Sequence, residues 1–382
     1  MSEISDQIQT LVPEYVRSLQ VYQAGKPIDE LTREKGLTRI SKLASNENPL
    51  GPSPFAIQKM TNALWDVHRY PDMNAYKLKS SLSRLYNLKN ENIILGNGSE
   101  GIMAYIARAF VQPGHEVLTS QNTFIGFNII ARSVGAILKT VPLTPDYRFD
   151  VKALAKSITK KTKVIYICNP NNPTGTYITK KEFDFLMEHV PAYVLVILDE
   201  AYFEFAVGKE DYPNSMDYRY DNVITLRTFS KAYGLSGIRI GYGFGHEDLI
   251  GNLHKVKLPF EPGLIAQMGA AGAIHDKPHL RRTIINNQRR YVEAFAFLEK
   301  HNFNPIKSVA NFITYKTGSE EASRYMFDAL LNHGVIIRQL KANEMPDYVR
   351  VSLGTKREMN HYYKAMEEIL PEYNKRYGRP KA

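Results

Sequence analysis

Lys163-Val-Ile-Tyr-Ile-Cys168 is a mostly apolar run that stops at Asn169-Pro170-Asn171-Asn172-Pro173-Thr174-Gly175. A second run, Tyr193-Val-Leu-Val-Ile-Leu198, stops at Asp199-Glu200-Ala201-Tyr202. A strand with one wet face alternates apolar and polar side chains. Near-continuous runs like these belong to a sheet covered by helices on both faces. Outward from this pair, strand candidates at Asn92–Leu95, Glu116–Thr119, Ile137–Val141, Asn222–Leu226 and Ile238–Tyr242 alternate with helix candidates at Gly101–Val111, Gly126–Val134, Lys180–His189 and His246–Val256. The alternation predicts an α/β domain with a mostly parallel sheet, whose ligands gather at the carboxyl ends of its strands. Beyond about residue 260 the pattern changes. Helices 264–275 and 279–301 precede strands Asn311–Tyr315, Val335–Arg338 and Tyr348–Leu353, interleaved with helices 320–333 and 356–370. The expected organisation is an arm over 1–40, a large domain over 41–260 and a smaller α+β domain over 261–382. Within the arm, residues 2–18 read as an amphipathic helix with Ile4, Ile8, Leu11, Tyr15 and Val16 on one side, bent by Pro13.

The 382 residues exceed one typical core, and 43% hydrophobic content excludes a disordered chain. No apolar run approaches the length of a membrane helix, and Met1-Ser-Glu-Ile-Ser-Asp-Gln lacks the features of a signal peptide, so a soluble cytoplasmic protein is expected. The lone Cys168 excludes an intrachain disulfide and a cysteine-rich zinc site; no metal is expected. A net charge of +10 is compatible with nucleic acid, an anionic membrane or small anions as partners.

Gly96-Asn-Gly98-Ser-Glu-Gly101 follows a predicted strand and opens a helix. Backbone N–H groups at such a helix start form an anion site. A dinucleotide and a phosphorylated cofactor such as pyridoxal phosphate both remain open on this pattern alone. The strand-end segments separate them. Asn172 presents an amide at the ligand-binding edge, and Asp199 is a carboxylate suited to a cationic ring nitrogen, with Tyr202 placed for a phenolate oxygen. Thr228-Phe-Ser230-Lys231 sets a lysine among hydroxyls, eight residues before Arg239. Desolvation and a neighbouring cation lower a lysine pKa, which favours Schiff-base chemistry. Hydroxyls and an arginine suit a phosphate dianion. Arg350, inside the apolar Tyr348-Val-Arg-Val-Ser352, needs a carboxylate partner, from substrate or from the protein; Arg338 raises the same question.

Together with Lys42-Leu-Ala-Ser-Asn46-Glu47-Asn48-Pro49-Leu-Gly51, Arg69-Tyr70-Pro71 and Tyr22-Gln-Ala-Gly25-Lys26-Pro27, these segments resemble the fold-type-I aminotransferases that depend on pyridoxal phosphate, in particular the histidinol-phosphate aminotransferase family, over about residues 15–370. The resemblance implies that Lys231 carries the cofactor and later moves the substrate proton, that Asp199 pairs with the ring nitrogen, that Asn172 and Tyr202 serve the ring oxygen and that Phe124 stacks on the ring. It places the phosphate on the backbone of Ser99 and Glu100, the Glu100 carboxylate turned away, with Thr228, Ser230 and Arg239 completing the cup. It further implies a homodimer with shared sites, in which Tyr70 reaches the partner's cofactor and the arm packs on the small domain and the partner subunit. Substrate contacts fall to Tyr22, Asn48, Arg338 and Arg350.

The expected reaction is amino transfer from histidinol phosphate to 2-oxoglutarate, a small-molecule amino donor and a 2-oxo acid acceptor, as in histidine biosynthesis. Glu261 stands where many members carry asparagine, which bears on side-chain specificity; an aromatic amino acid aminotransferase is the nearest alternative, because an imidazole pocket also admits phenyl rings, and a phosphothreonine decarboxylase is a third. A basic nucleic-acid-binding protein would need a lysine stripe with a recognition motif, and only the short groups Lys156 to Lys163 and Lys375 to Lys381 are present.

Overall fold

The computed structural model describes residues 10–21, 31–33, 36–37, 39–218 and 220–378. Seven strands form the central sheet: β2 (Ile93–Gly96), β3 (Glu116–Ser120), β4 (Ile137–Val141), β5 (Thr162–Cys168), β6 (Leu195–Asp199), β7 (Val223–Thr228) and β8 (Gly241–Phe244). β1 (Ser41–Lys42) lies outside it. The spatial order is β2-β8-β7-β6-β5-β3-β4, and only β8 runs against its neighbours. Every residue of β6 and β7 is buried, as expected of strands covered on both faces. The core of the large domain joins Ile102, Ile106, Phe127 and Leu186 of the helices to Val117, Ile165 and Val196 of the sheet. The fold is the expected α/β architecture.

The small domain holds the antiparallel sheet β11-β12-β9, from β9 (Phe312–Lys316), β11 (Arg338–Gln339) and β12 (Tyr348–Ser352), and the parallel pair of β1 with β10 (Val335–Ile336). The expected strand 335–338 is thus split between two sheets. Packing crosses both expected domain boundaries. Leu43, assigned by sequence to the large domain, packs with Ile313, Val335, Val351 and Tyr362 in the small-domain core. The helix Leu264–Ala273, assigned to the small domain, buries Ala266, Ala270 and Ala273 against Ile93, Leu95 and Ile240 of the large one. The Asp276 side chain caps the helix Lys277–Lys300, which carries Ala294 and Leu298 into the small-domain core.

Among the described residues of the arm, a short helix spans Glu14–Arg17 and buries nothing. Leu11 stays 81% exposed, while Ile4 and Ile8 lie outside the described residues. No described helix is long and apolar enough to cross a membrane.

Candidate active site

A cavity of about 560 Å³ opens at the carboxyl ends of β5, β6 and β7. Ser99 and Glu100 line it from the start of one helix, Phe124 and Asn172 from two separate connections. Asp199, Tyr202, Thr228, Ser230, Lys231 and Arg239 complete the wall. The helix Gly98–Phe110 starts three residues before its expected Gly101, so Ser99 and Glu100 stand in its first turn. Its N-cap residue Asn97 makes no side-chain cap, and its amide donates to Glu261 at 2.9 Å. The helix start therefore retains its anion-binding character toward the cavity. The expected strand from Ile238 begins only at Gly241, since Ser236–Ile238 form a 3-10 turn and Arg239 takes a positive φ of 53°. That turn aims the guanidinium at Ser230 Oγ, 3.2 Å away, and at the Ser236 carbonyl, 3.0 Å away.

Lys231 Nζ donates to the Ser45 carbonyl at 3.3 Å. Removal from water, followed by the Arg350 cation, lowers its pKa to about 8; Glu47 opposes and Arg239 adds to the shift. Asp199 is 2% exposed and accepts from Tyr166 Oη at 2.7 Å through Oδ2. Burial lifts its pKa to about 6, against the Tyr166 hydrogen bond and the Ala201 N–H. Asp199 Oδ1 is buried without a hydrogen-bond partner. Tyr202 receives the Asn46 amide at 2.9 Å, and burial raises its phenol pKa. Arg350 reaches from β12 to the Ala44 carbonyl at 2.9 Å and to Asn172 Oδ1.

The site thus fits the phosphorylated pyridine aldehyde that the resemblance implies. An unpartnered buried carboxylate oxygen calls for a cationic donor. The phosphate end is a cradle with no room for side chains: a Cβ on Gly98 would lie 2.6 Å from Arg239 Nη2, and one on Gly241 2.5 Å from the Ser99 nitrogen.

Asn48 is buried and donates to the Ala232 carbonyl at 2.9 Å and to Thr283 Oγ1 at 3.0 Å, so it braces the Lys231 loop rather than meeting substrate. The Glu100 carboxylate is not turned away: it lines the cavity and accepts from Arg239 Nη2 at 3.3 Å. Arg338 lies opposite Arg350 across β11 and β12, outside the cavity wall. Tyr70 is 81% exposed and stacks on Phe260 with centroids 4.3 Å apart, away from the cavity of its own chain. Tyr22 lies outside the described residues. Glu261 also accepts from Tyr105 Oη, which with the Asn97 contact commits its carboxylate to the protein.

Sequence reasoning missed Asn46, Tyr166 and the pair Arg227–Glu200. Arg227 and Glu200 are fully buried, 2.7 Å apart, and the guanidinium sits 3.3 Å over the Phe203 ring. The pair ties the end of β7, which delivers Thr228, to the residue after Asp199. An arginine inside an otherwise apolar strand, with a glutamate just past the next strand, was the available signal.

The family model described as aminotransferase class I and II matches residues 38–366. Histidinol-phosphate aminotransferase 2 of Carboxydothermus hydrogenoformans is 38% identical over 94% of this chain and 99% of its own. Histidinol-phosphate aminotransferase 2 of Hydrogenovibrio crunogenus is 40% identical over 94% and 96%. The structure of histidinol-phosphate aminotransferase from Sinorhizobium meliloti in complex with pyridoxal-5'-phosphate superposes with a TM-score of 0.87 at 27% identity, covering 94% of this chain and 98% of that one.

Proposed function

The chain belongs to the class I and II aminotransferases, and we propose that it transfers the amino group of histidinol phosphate to 2-oxoglutarate, with pyridoxal 5'-phosphate as its cofactor. The observation that carries this reading is one cavity holding a lysine of lowered pKa, a buried carboxylate with an unpartnered oxygen, and a helix start facing an arginine. When bound, the cofactor supplies an electrophilic carbon and a ring able to accept electron density from the substrate Cα.

The chain's own residues do the rest. Lys231 would hold the cofactor carbon and, with its amine free, would be the base beside the substrate Cα that takes and returns the proton; a pKa of about 8 suits both directions. Asp199 holds a proton on the ring nitrogen, with Tyr166 fixing the carboxylate orientation. Tyr202, oriented by Asn46, and the Asn172 amide serve the ring oxygen. Ser99 and Glu100 N–H groups, Thr228, Ser230 and Arg239 hold the phosphate, and Phe124 covers the ring. Arg350 is placed by Ala44 and Asn172 to receive a substrate carboxylate.

The second part of the proposal is a homodimer. Trp65 at 86% exposure, Tyr70, Leu64 and Val67 form an apolar surface on one segment, which supports a partner there and Tyr70 as a donor to the partner's phosphate. Tyr22 and Arg338 remain proposed substrate contacts. A cytoplasmic setting suits a chain whose only cysteine is a buried free thiol.

The purified protein should show a visible cofactor band that borohydride fixes to the Lys231 peptide. Single-turnover amination should run at least about tenfold faster with histidinol phosphate than with phenylalanine. The reverse preference overturns the substrate assignment in favour of an aromatic amino acid aminotransferase. Mixed dimers of Tyr70→Phe and Lys231→Ala chains test the shared site: the site holding Lys231 then receives Tyr70 from its partner, and if it behaves no differently from a site of the Tyr70→Phe homodimer, Tyr70 has no role across the interface.

A further inference from the structure

Phosphate sites are assembled from donors, and a carboxylate among them is repelled by the dianion they serve. Glu100 breaks this rule. Its Oε2 lies 3.3 Å from Arg239 Nη2, on the guanidinium whose Nη1 is held by Ser230 Oγ and the Ser236 carbonyl. Its Oε1 rests against Gly126, where a Cβ would come within 2.7 Å of it. Gly98, at a φ of +74°, lets the same guanidinium sit down on the helix start. Both partners of the ion pair are about half-exposed, 46% for Arg239 and 47% for Glu100, so the pair adds little stability and breaks easily. A tethered anion and the cofactor phosphate therefore claim one guanidinium.

We propose that the Glu100 carboxylate competes with the cofactor phosphate for Arg239 and so sets how tightly the chain retains its phosphorylated cofactor. This rests on the pyridoxal 5'-phosphate reading above. The side chain keeps Arg239 oriented over the helix start and gives way when a dianion arrives, at the expense of affinity. A purely supporting role for Glu100 has the opposite sign: removing it would free Arg239 to wander and would weaken cofactor binding.

The test compares wild type with E100Q, E100A and E100D. Cofactor loss on dilution of the holoprotein is followed by visible absorbance, and pyridoxal 5'-phosphate and pyridoxal are titrated separately. Pyridoxal carries the same ring and aldehyde without the phosphate, so it reports on Lys231 and the ring contacts alone. E100Q and E100A should hold pyridoxal 5'-phosphate about tenfold more tightly, with slower loss and unchanged affinity for pyridoxal. E100D, which keeps the charge, should stay within about threefold of wild type. Unchanged or weaker retention of pyridoxal 5'-phosphate in E100Q overturns the proposal, as does an equal tightening toward pyridoxal. A wild-type chain that takes up neither ligand refutes the cofactor assignment itself, which is a separate failure.

Discussion

Asp199→Asn should make the cofactor-free protein more stable at pH 8 while removing its activity. The Asp199 carboxyl titrates near 6 in the folded chain against an ordinary 3.8, a difference worth about 3 kcal/mol. Because the folded pKa is the higher one, the penalty is fully present above about 6, shrinks as pH falls toward 3.8 and vanishes below that value. At pH 4.5 about 1 kcal/mol of it remains. An asparagine escapes the charge penalty and keeps its oxygen for Tyr166, but places an amide where Oδ1 now has no partner, which costs about 1–2 kcal/mol. The net expectation is a gain of about 1–2 kcal/mol at pH 8, or about 2 °C in melting temperature for a chain of this size, falling to zero or below at pH 4.5. Thermal unfolding of both proteins across that pH range measures it. A variant that is less stable at every pH, or a difference that does not change with pH, would refute the reading of Asp199 as a carboxylate held ionised against its surroundings.

Arg227→Met leaves Glu200 buried and unpaired and should cost about 3–5 kcal/mol in chemical denaturation, most of it recovered when Glu200→Leu is added. The rate at which Lys231 captures pyridoxal 5'-phosphate should climb with pH through about 8 and then level, as the neutral amine is the reactive form; Arg350→Gln should move that midpoint upward. A stopped-flow profile still rising at pH 10 would contradict it. Gly98→Ala forces a Cβ to within 2.6 Å of Arg239 Nη2 at a positive φ, and should weaken pyridoxal 5'-phosphate binding by at least about tenfold in an absorbance titration.

The central sheet was legible because β5 and β6 are buried on both faces, so their apolar runs carry no ambiguity of period. The residues at their ends were legible for the same reason, since a strand of known direction delivers whatever follows it. Ile238-Arg-Ile was misread as strand because alternation says nothing about a backbone that turns at Ser236 to aim Arg239. Asn48 was misread because an amide beside the site can face either the cavity or a carbonyl, and only the Ala232 and Thr283 contacts decide. Tyr166 looks like any strand aromatic until the register of β5 on β6 sets Cys168 beside Asp199 and the phenol beneath the carboxylate. β1 is two residues long and has no period to detect.

That two-residue strand has a consequence for how the chain is made. Ser41 and Lys42 pair with Val335 and Ile336, and Leu43 waits for the same C-terminal core. The central sheet, by contrast, is complete once Phe244 has been synthesised. During synthesis the large domain can therefore close while the segment joining it to the arm has no partner, and the small domain assembles only near the end of translation. Cutting the gene at the domain boundary would strand β1 on the wrong fragment, so the two halves expressed separately should recombine only if the first residues travel with the last.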